Sequence, residues 1–120
     1  MIGIPYIEGK RNCWTFVKEA AKRVNIILPD YDLSLDRSEL SALVQAEKQK
    51  YIRLKKPEPF CLVLFHTLNL EKGFGWHCGL VMENCQDFLH CHKWTGGCIT
   101  SLNHPLYWLL RDGYYKPGDK

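Results

Sequence analysis

A chain of 120 residues, 46% hydrophobic and 24% charged, has the size and make-up of one globular domain with one core, so a single domain over residues 1–120 is expected. No apolar run approaches the roughly 18 residues of a membrane span, which argues against membrane insertion. The net charge is only +3 and the basic residues are scattered apart from KQKYIRLKK (48–56), a cluster that reads as a solvated helix end and loop, so no nucleic-acid partner is indicated.

The opening MIGIPYIEGK has neither a basic start nor an apolar stretch of export-signal length, so synthesis in the cytoplasm without a signal peptide is expected. After Cys13, the residues Trp14, Val17, Ala20, Ala21 and Val24 recur at the three- and four-residue spacing of a helix face. LPDYD (28–32) ends that helix. RSELSALVQAEKQKY (37–51) predicts a second helix, capped by Ser38 or Asp36, and KKPEP breaks the chain after it.

The second half is β in character. FCLVLF (60–65), GWHCGLVME (75–83), QDFLHCH (86–92) and GCITSL (97–102) are predicted strands, with Asn84 and Gly96-Gly97 in the turns. LYWLLRDGYYK (106–116) predicts a helical turn followed by an edge strand. Helices first, then strands joined by turns too short for crossover helices, predict an α+β domain with an antiparallel sheet.

Six cysteines (13, 61, 78, 85, 91, 98) in a chain with no export signal argue against a disulfide framework. Cys61 lies in an apolar run and reads as a small buried hydrophobe. Cys13 stands alone at the mouth of a helix, where unpaired backbone N–H groups and the helix dipole favour a thiolate. A free thiol of pKa about 8.5 is only about 3% ionised near neutral pH, so a nucleophile needs that help and a neighbouring histidine besides. The same N–H groups are suited to hold an oxyanion.

All five histidines fall in the β half. His77 opens a strand, where it can meet a helix N-terminus. The two-residue period of the next strand puts His90 and His92 on one face and Cys91 on the other, and either histidine can hydrogen-bond the far nitrogen of His77 and fix its tautomer. His66 and His104 carry no such pattern and read as ordinary surface histidines; Trp14 and Trp108 read as core. Cys78, Cys85, His90, Cys91, His92 and Cys98 crowd together, but they contain no C-x2-4-C hook and alternate between strand faces, so no metal is expected.

PYIEGKRNCWTFVKEAAKRVNIILPDY, HCGLVM, FLHCH and the closing GYYK resemble the NlpC/P60 family of papain-like cysteine peptidases. The resemblance is to the short single-domain members among bacteriophage tail proteins, covers nearly the whole chain and is weakest between residues 33 and 58. It implies a papain-like fold of N-terminal helices packed on an antiparallel sheet, with no metal or organic cofactor. It implies Cys13 as nucleophile, His77 as general base and acid, and His90 as the orienting residue, with His92 as the alternative in that third place. Tyr6 matches a family tyrosine whose hydroxyl sits beside the nucleophile. Asn12 stands where the family usually carries an aspartate that helps bind a substrate amine. Only Gly9, followed by Lys10 and Arg11, remains of the usual glycine pair before the cysteine, and Glu83 stands where glycine is common.

The activity implied is hydrolysis of amide bonds in peptidoglycan stem peptides, with a peptidoglycan peptide and other phage tail proteins as partners and the virion tail or the bacterial host cytoplasm as location. A non-catalytic structural or assembly component of a tail with the same fold is the alternative. Acyltransferases related to lecithin retinol acyltransferase place the histidine before the cysteine, the reverse of the order here.

Overall fold

A computed structural model of the chain describes residues 13–30, 37–69, 73–92 and 96–118. Tyr6 and Asn12 lie outside the described residues, as do the side chains of Cys13 and His92.

Helix α1 (Cys13–Arg23) buries Phe16, Val17, Ala20 and Ala21, the stripe that its apolar spacing predicts. It closes through Asn25, which adopts a left-handed φ of 65°, and through the Ile26 N–H, which donates to the Ala21 carbonyl at 2.9 Å. Helix α2 (Arg37–Lys48) begins before Ser38, so Ser38 lies inside the first turn rather than at the cap, and Asp36 is outside the described residues.

Where the sequence predicts helix through residue 51, α2 stops at Lys48 and Tyr51–Leu54 forms strand β1. Four residues of which Ile52 and Arg53 face solvent carry little local strand signal. They become a strand because the chain end comes back to pair with them.

Five further strands follow: β2 (Leu62–Asn69), β3 (Gly73–Val81), β4 (Asp87–His92), β5 (Gly96–Ser101) and, after helix α3 (Pro105–Leu110), β6 (Arg111–Pro117). They form one antiparallel sheet in the order β1-β6-β2-β3-β4-β5. The expectation of a final edge strand is corrected here: β6 pairs with β1 on one side and β2 on the other, and Gly113, Tyr114 and Tyr115 are buried. Asn84 does shape the β3–β4 turn, its Oδ1 accepting from the Gln86 and Asp87 N–H groups at 2.9 and 3.1 Å. Gly96 and Gly97 belong to β5 itself, with Gly96 at a φ of 70°.

Strand alternation divides the core. On one face Leu62, Cys78, Leu80, Cys91 and Tyr115 pack with Phe16, Val17, Ala20 and Ala21 of α1. On the other, Val63, Phe65, Val81, Phe88 and Tyr114 pack with Cys61 and Leu102, and Tyr107 and Leu110 of α3 rest against them. Gly79 is needed at the crossing of β3 and β4, since a Cβ there would lie 2.6 Å from the Phe88 ring.

Helix α3 is capped by His104, whose Nδ1 accepts from the Leu106 N–H at 3.3 Å, with Pro105 at the first helical position. Trp108 is not a core residue: it is 54% exposed, with the Arg111 guanidinium 4.4 Å from its ring. Among the described residues no helix is long and apolar enough to cross a membrane.

Candidate active site

His77 lies on β3 opposite Phe65 of β2, and the two rings stack with centroids 6.1 Å apart. Its Nε2 is 2.7 Å from Nδ1 of His90 on β4. His90 is 1% exposed, and its Nε2 lies 2.8 Å from Thr100 Oγ1 and 3.4 Å from Cys98 Sγ. The β4–β5 register explains both contacts: Cys98 sits directly opposite His90, and Thr100, two residues further along β5, is its diagonal neighbour on the same face.

Aromatic rings hold the two imidazoles. Phe88 lies 4.5 Å from His90, and Tyr107 of α3 reaches down to both, 5.4 Å from His90 and 6.3 Å from His77. Burial pushes the Tyr107 hydroxyl above its ordinary pKa, and the nearby Cys98 thiol adds to the effect. The tyrosine is therefore neutral and packs as a roof over the pair.

Two neutral imidazoles joined through nitrogen share no net charge, so their bond has a direction set by tautomer. His77 turns Nε2 toward His90, which leaves Nδ1 on the other edge of the ring.

Of the predicted site residues, the structure brings His77 and His90 together. Cys13 is the first residue of α1, where the first turn leaves backbone N–H groups without helical partners. Trp14, the next residue, donates from Nε1 to the Pro29 carbonyl at 3.0 Å and lines a cavity of about 130 Å³ with Trp76 and Cys78, walled on its far side by Leu43, Val44 and Lys48 of α2. The His77 ring lies on the other face of the sheet, with Phe65 and His90. The backbone of His92 pairs with Gly96.

Thr100, Cys98 and Tyr107 were not among the predicted residues. For Thr100 and Cys98 the signal was present as strand alternation across a short hairpin. For Tyr107 there was none, since its approach depends on where α3 docks.

No disulfide joins the described cysteines, Cys61, Cys78, Cys85, Cys91 and Cys98. Burial pushes the Cys61 thiol up to about 11, which leaves it protonated and inert. Cys78 and Cys91 belong to the α1 side of the sheet, whereas His90 and Cys98 meet on the opposite side.

A second polar cluster surrounds Asp112, the residue that the β2–β6 ladder skips between Phe65↔Arg111 and Leu64↔Gly113. The bulge turns its carboxylate to meet Tyr115 Oη at 2.5 Å, Lys48 Nζ at 3.2 Å and His66 Nε2 at 2.9 Å. Burial alone would raise the Asp112 pKa, but the hydrogen bonds from Tyr115, Lys48 and His66 outweigh it, and the carboxyl is held below its ordinary value. The Tyr115 hydroxyl is pushed up to about 12, by burial first and then by its hydrogen bond to Asp112. His66, which reads from the sequence as an ordinary surface histidine, is thus a hydrogen-bond partner of Asp112 in this network, with Trp76 packed 4.2 Å from its ring.

No protein-family profile matches the chain, and no curated protein matches it in sequence. Among solved structures, the fold is similar to that of a Staphylococcus aureus subsp. aureus Mu50 protein, similar to lipoprotein, of the NLP/P60 family. The TM-score is 0.63, with 16% sequence identity over 99% of this chain. The two share an NlpC/P60-type fold. This chain spans 38% of that protein's length. At this identity the likeness speaks to the α+β architecture and its six-stranded antiparallel sheet.

Proposed function

We propose that the chain is a cysteine peptidase that hydrolyses amide bonds in peptidoglycan stem peptides through Cys13, His77 and His90. The observation that carries this reading is the hydrogen bond between His77 and His90 on neighbouring strands of an NlpC/P60-type fold.

In this reading the Cys13 thiol gives its proton to His77 Nδ1, and the thiolate attacks the scissile carbonyl. The backbone N–H groups at the start of α1, with Tyr6, hold the oxyanion that forms. As the tetrahedral intermediate collapses, His77 returns the proton to the leaving amine, and an acyl-enzyme thioester remains. A water molecule, deprotonated by His77, then attacks the thioester carbonyl and releases the acid and the thiol. His90 accepts from His77 Nε2 throughout and keeps Nδ1 turned to the reaction, the place the sequence leaves open between it and His92. Asn12, next to the nucleophile in sequence, offers an uncharged amide where the family usually carries an aspartate. The tail-associated setting, with other phage tail proteins as partners, rests on the sequence resemblance alone.

The test is alkylation of Cys13 by iodoacetamide across pH, in wild type and His77→Ala, located by peptide mapping, followed by incubation with purified peptidoglycan and assay of newly freed amino groups. Selective labelling of Cys13 below about pH 7, lost in His77→Ala, with amino groups released by the wild type only, supports the peptidase. Labelling that rises only near about pH 8.5 in both proteins removes it.

A further inference from the structure

The hydrogen-bonded chain does not stop at His90. A histidine that takes a proton from a thiol needs a bare ring nitrogen facing it, and a neutral ring carries only one N–H. Because His77 Nε2 is 2.7 Å from His90 Nδ1, the nitrogen available to a thiol is Nδ1, and the His77 proton has to sit on Nε2 and be donated to His90. His90 Nδ1 is then an acceptor, so His90 carries its own proton on Nε2. That N–H points at Thr100 Oγ1, 2.8 Å away.

We infer that Thr100 is a positioning residue: its hydroxyl accepts from His90 Nε2–H and thereby sets the tautomers of both histidines, leaving His77 Nδ1 bare. The inference rests on the reading of His77 as general base. Two observations and one chemical argument support it. His90 is 1% exposed, so bulk water does not replace a lost acceptor at Nε2. A second neighbour of that nitrogen is the Cys98 sulfur at 3.4 Å, a weak acceptor beside a hydroxyl oxygen. Once His77 is protonated, its Nε2–H needs His90 Nδ1 as acceptor even more strongly, and a chain whose members all donate in one direction is mutually reinforcing.

The reverse direction has a definite consequence. If Nε2 of His90 lost its acceptor, the His90 proton would move to Nδ1 and be donated to His77 Nε2. The His77 proton would then occupy Nδ1, and the ring would face the nucleophile as an acid instead of a base.

The experiment is long-range ¹H–¹⁵N NMR of the histidine rings in wild type, Thr100→Val, Thr100→Ser and Cys98→Ala, with the pH profile of Cys13 alkylation measured on the same proteins. The expected wild-type result is both neutral histidines protonated at Nε2. Valine matches threonine in shape but offers no acceptor, so Thr100→Val shifts His90 toward the Nδ1–H form and slows low-pH alkylation of Cys13 about tenfold. Thr100→Ser restores both readouts, which a purely space-filling role would not require.

A wild-type His90 protonated at Nδ1 overturns the inference, and this holds even if Thr100→Val does not fold. So do tautomers unmoved by Thr100→Val, or moved by Cys98→Ala instead. Tautomers that follow Thr100 in a protein whose Cys13 reacts as an ordinary thiol leave the assignment of Thr100 standing and remove the peptidase reading.

Discussion

His66 and His77 sit on opposite faces of the sheet, because consecutive residues of β2 and their partners on β3 alternate in direction: Phe65 pairs with His77, and His66 with Trp76. His66 is bonded to a carboxylate that also takes Lys48 and Tyr115, whereas His77 is bonded to another imidazole. The difference is one of charge. Around Asp112 an ionised group is surrounded by donors, so its protonation state is fixed and the network ties α2, β2 and β6 together as a clamp. Around His77 the bonded partner is a second imidazole, so the bond's direction is a matter of tautomer, and in the proposed reading the proton passes between that ring and the nucleophile. A histidine in a sheet becomes useful for proton transfer when its partner can change state with it.

The strongest way to break this comparison is to remove His77. His77→Ala is expected to lower any peptidoglycan-hydrolysing activity by about 100- to 10,000-fold, measured as release of amino groups, with little change in melting temperature. Loss of folding on the same scale would mean that His77, too, is structural.

The converse substitution is Asp112→Asn. It removes the charge that Lys48, His66 and Tyr115 surround, and a loss of roughly 1.5–3 kcal/mol is expected by urea unfolding, with the Cys13 alkylation profile unchanged. A changed profile would show that the clamp and the histidine pair are coupled.

The two ends of the pH range sharpen the picture. The pKa of Asp112 is lowered in the folded state, so its contribution to stability is present above the ordinary carboxylate range and is lost as pH falls through the folded value. Asp112→Asn should accordingly flatten the acid limb of melting temperature against pH. Tyr115 is shifted the other way: its contribution is complete below its ordinary value of 10.0 and is lost as pH rises toward about 12. Tyr115→Phe should remove that alkaline limb, and an alkaline limb that persists would assign it to other groups.

The smallest effect is expected on the outer surface of α3. Trp108 is 54% exposed, and Trp108→Ala should change unfolding free energy by less than about 0.5 kcal/mol. A larger loss would show that the Arg111–Trp108 contact braces the roof that Tyr107 forms over the histidines.

Much of the fold was legible because periodicity is local information. The apolar stripe of α1, the buried apolar run of β2 and the two-residue period of β4 each follow from which residues must leave water, and the short turns required an antiparallel sheet. β1 was not legible, since Ile52 and Arg53 face solvent and only pairing with β6 makes that segment a strand. The interior position of β6 was hidden for the same reason: whether a strand lies at an edge depends on a partner that pairs from far away in the chain.

The site divides along the same line. The sequence by itself determined that a helix begins at Cys13, that His77 stands on one strand, and that His90 stands on the next with its face set by a two-residue period. Those features depend on neighbours within a few residues. Only the tertiary structure decided that His77 meets His90 through nitrogen, that Thr100 lies at the far nitrogen, that Tyr107 covers both rings, and that a bulge turns Asp112 toward His66. Each of these depends on strand register and helix docking, which are set by the whole core closing at once, and no short stretch of sequence carries that information.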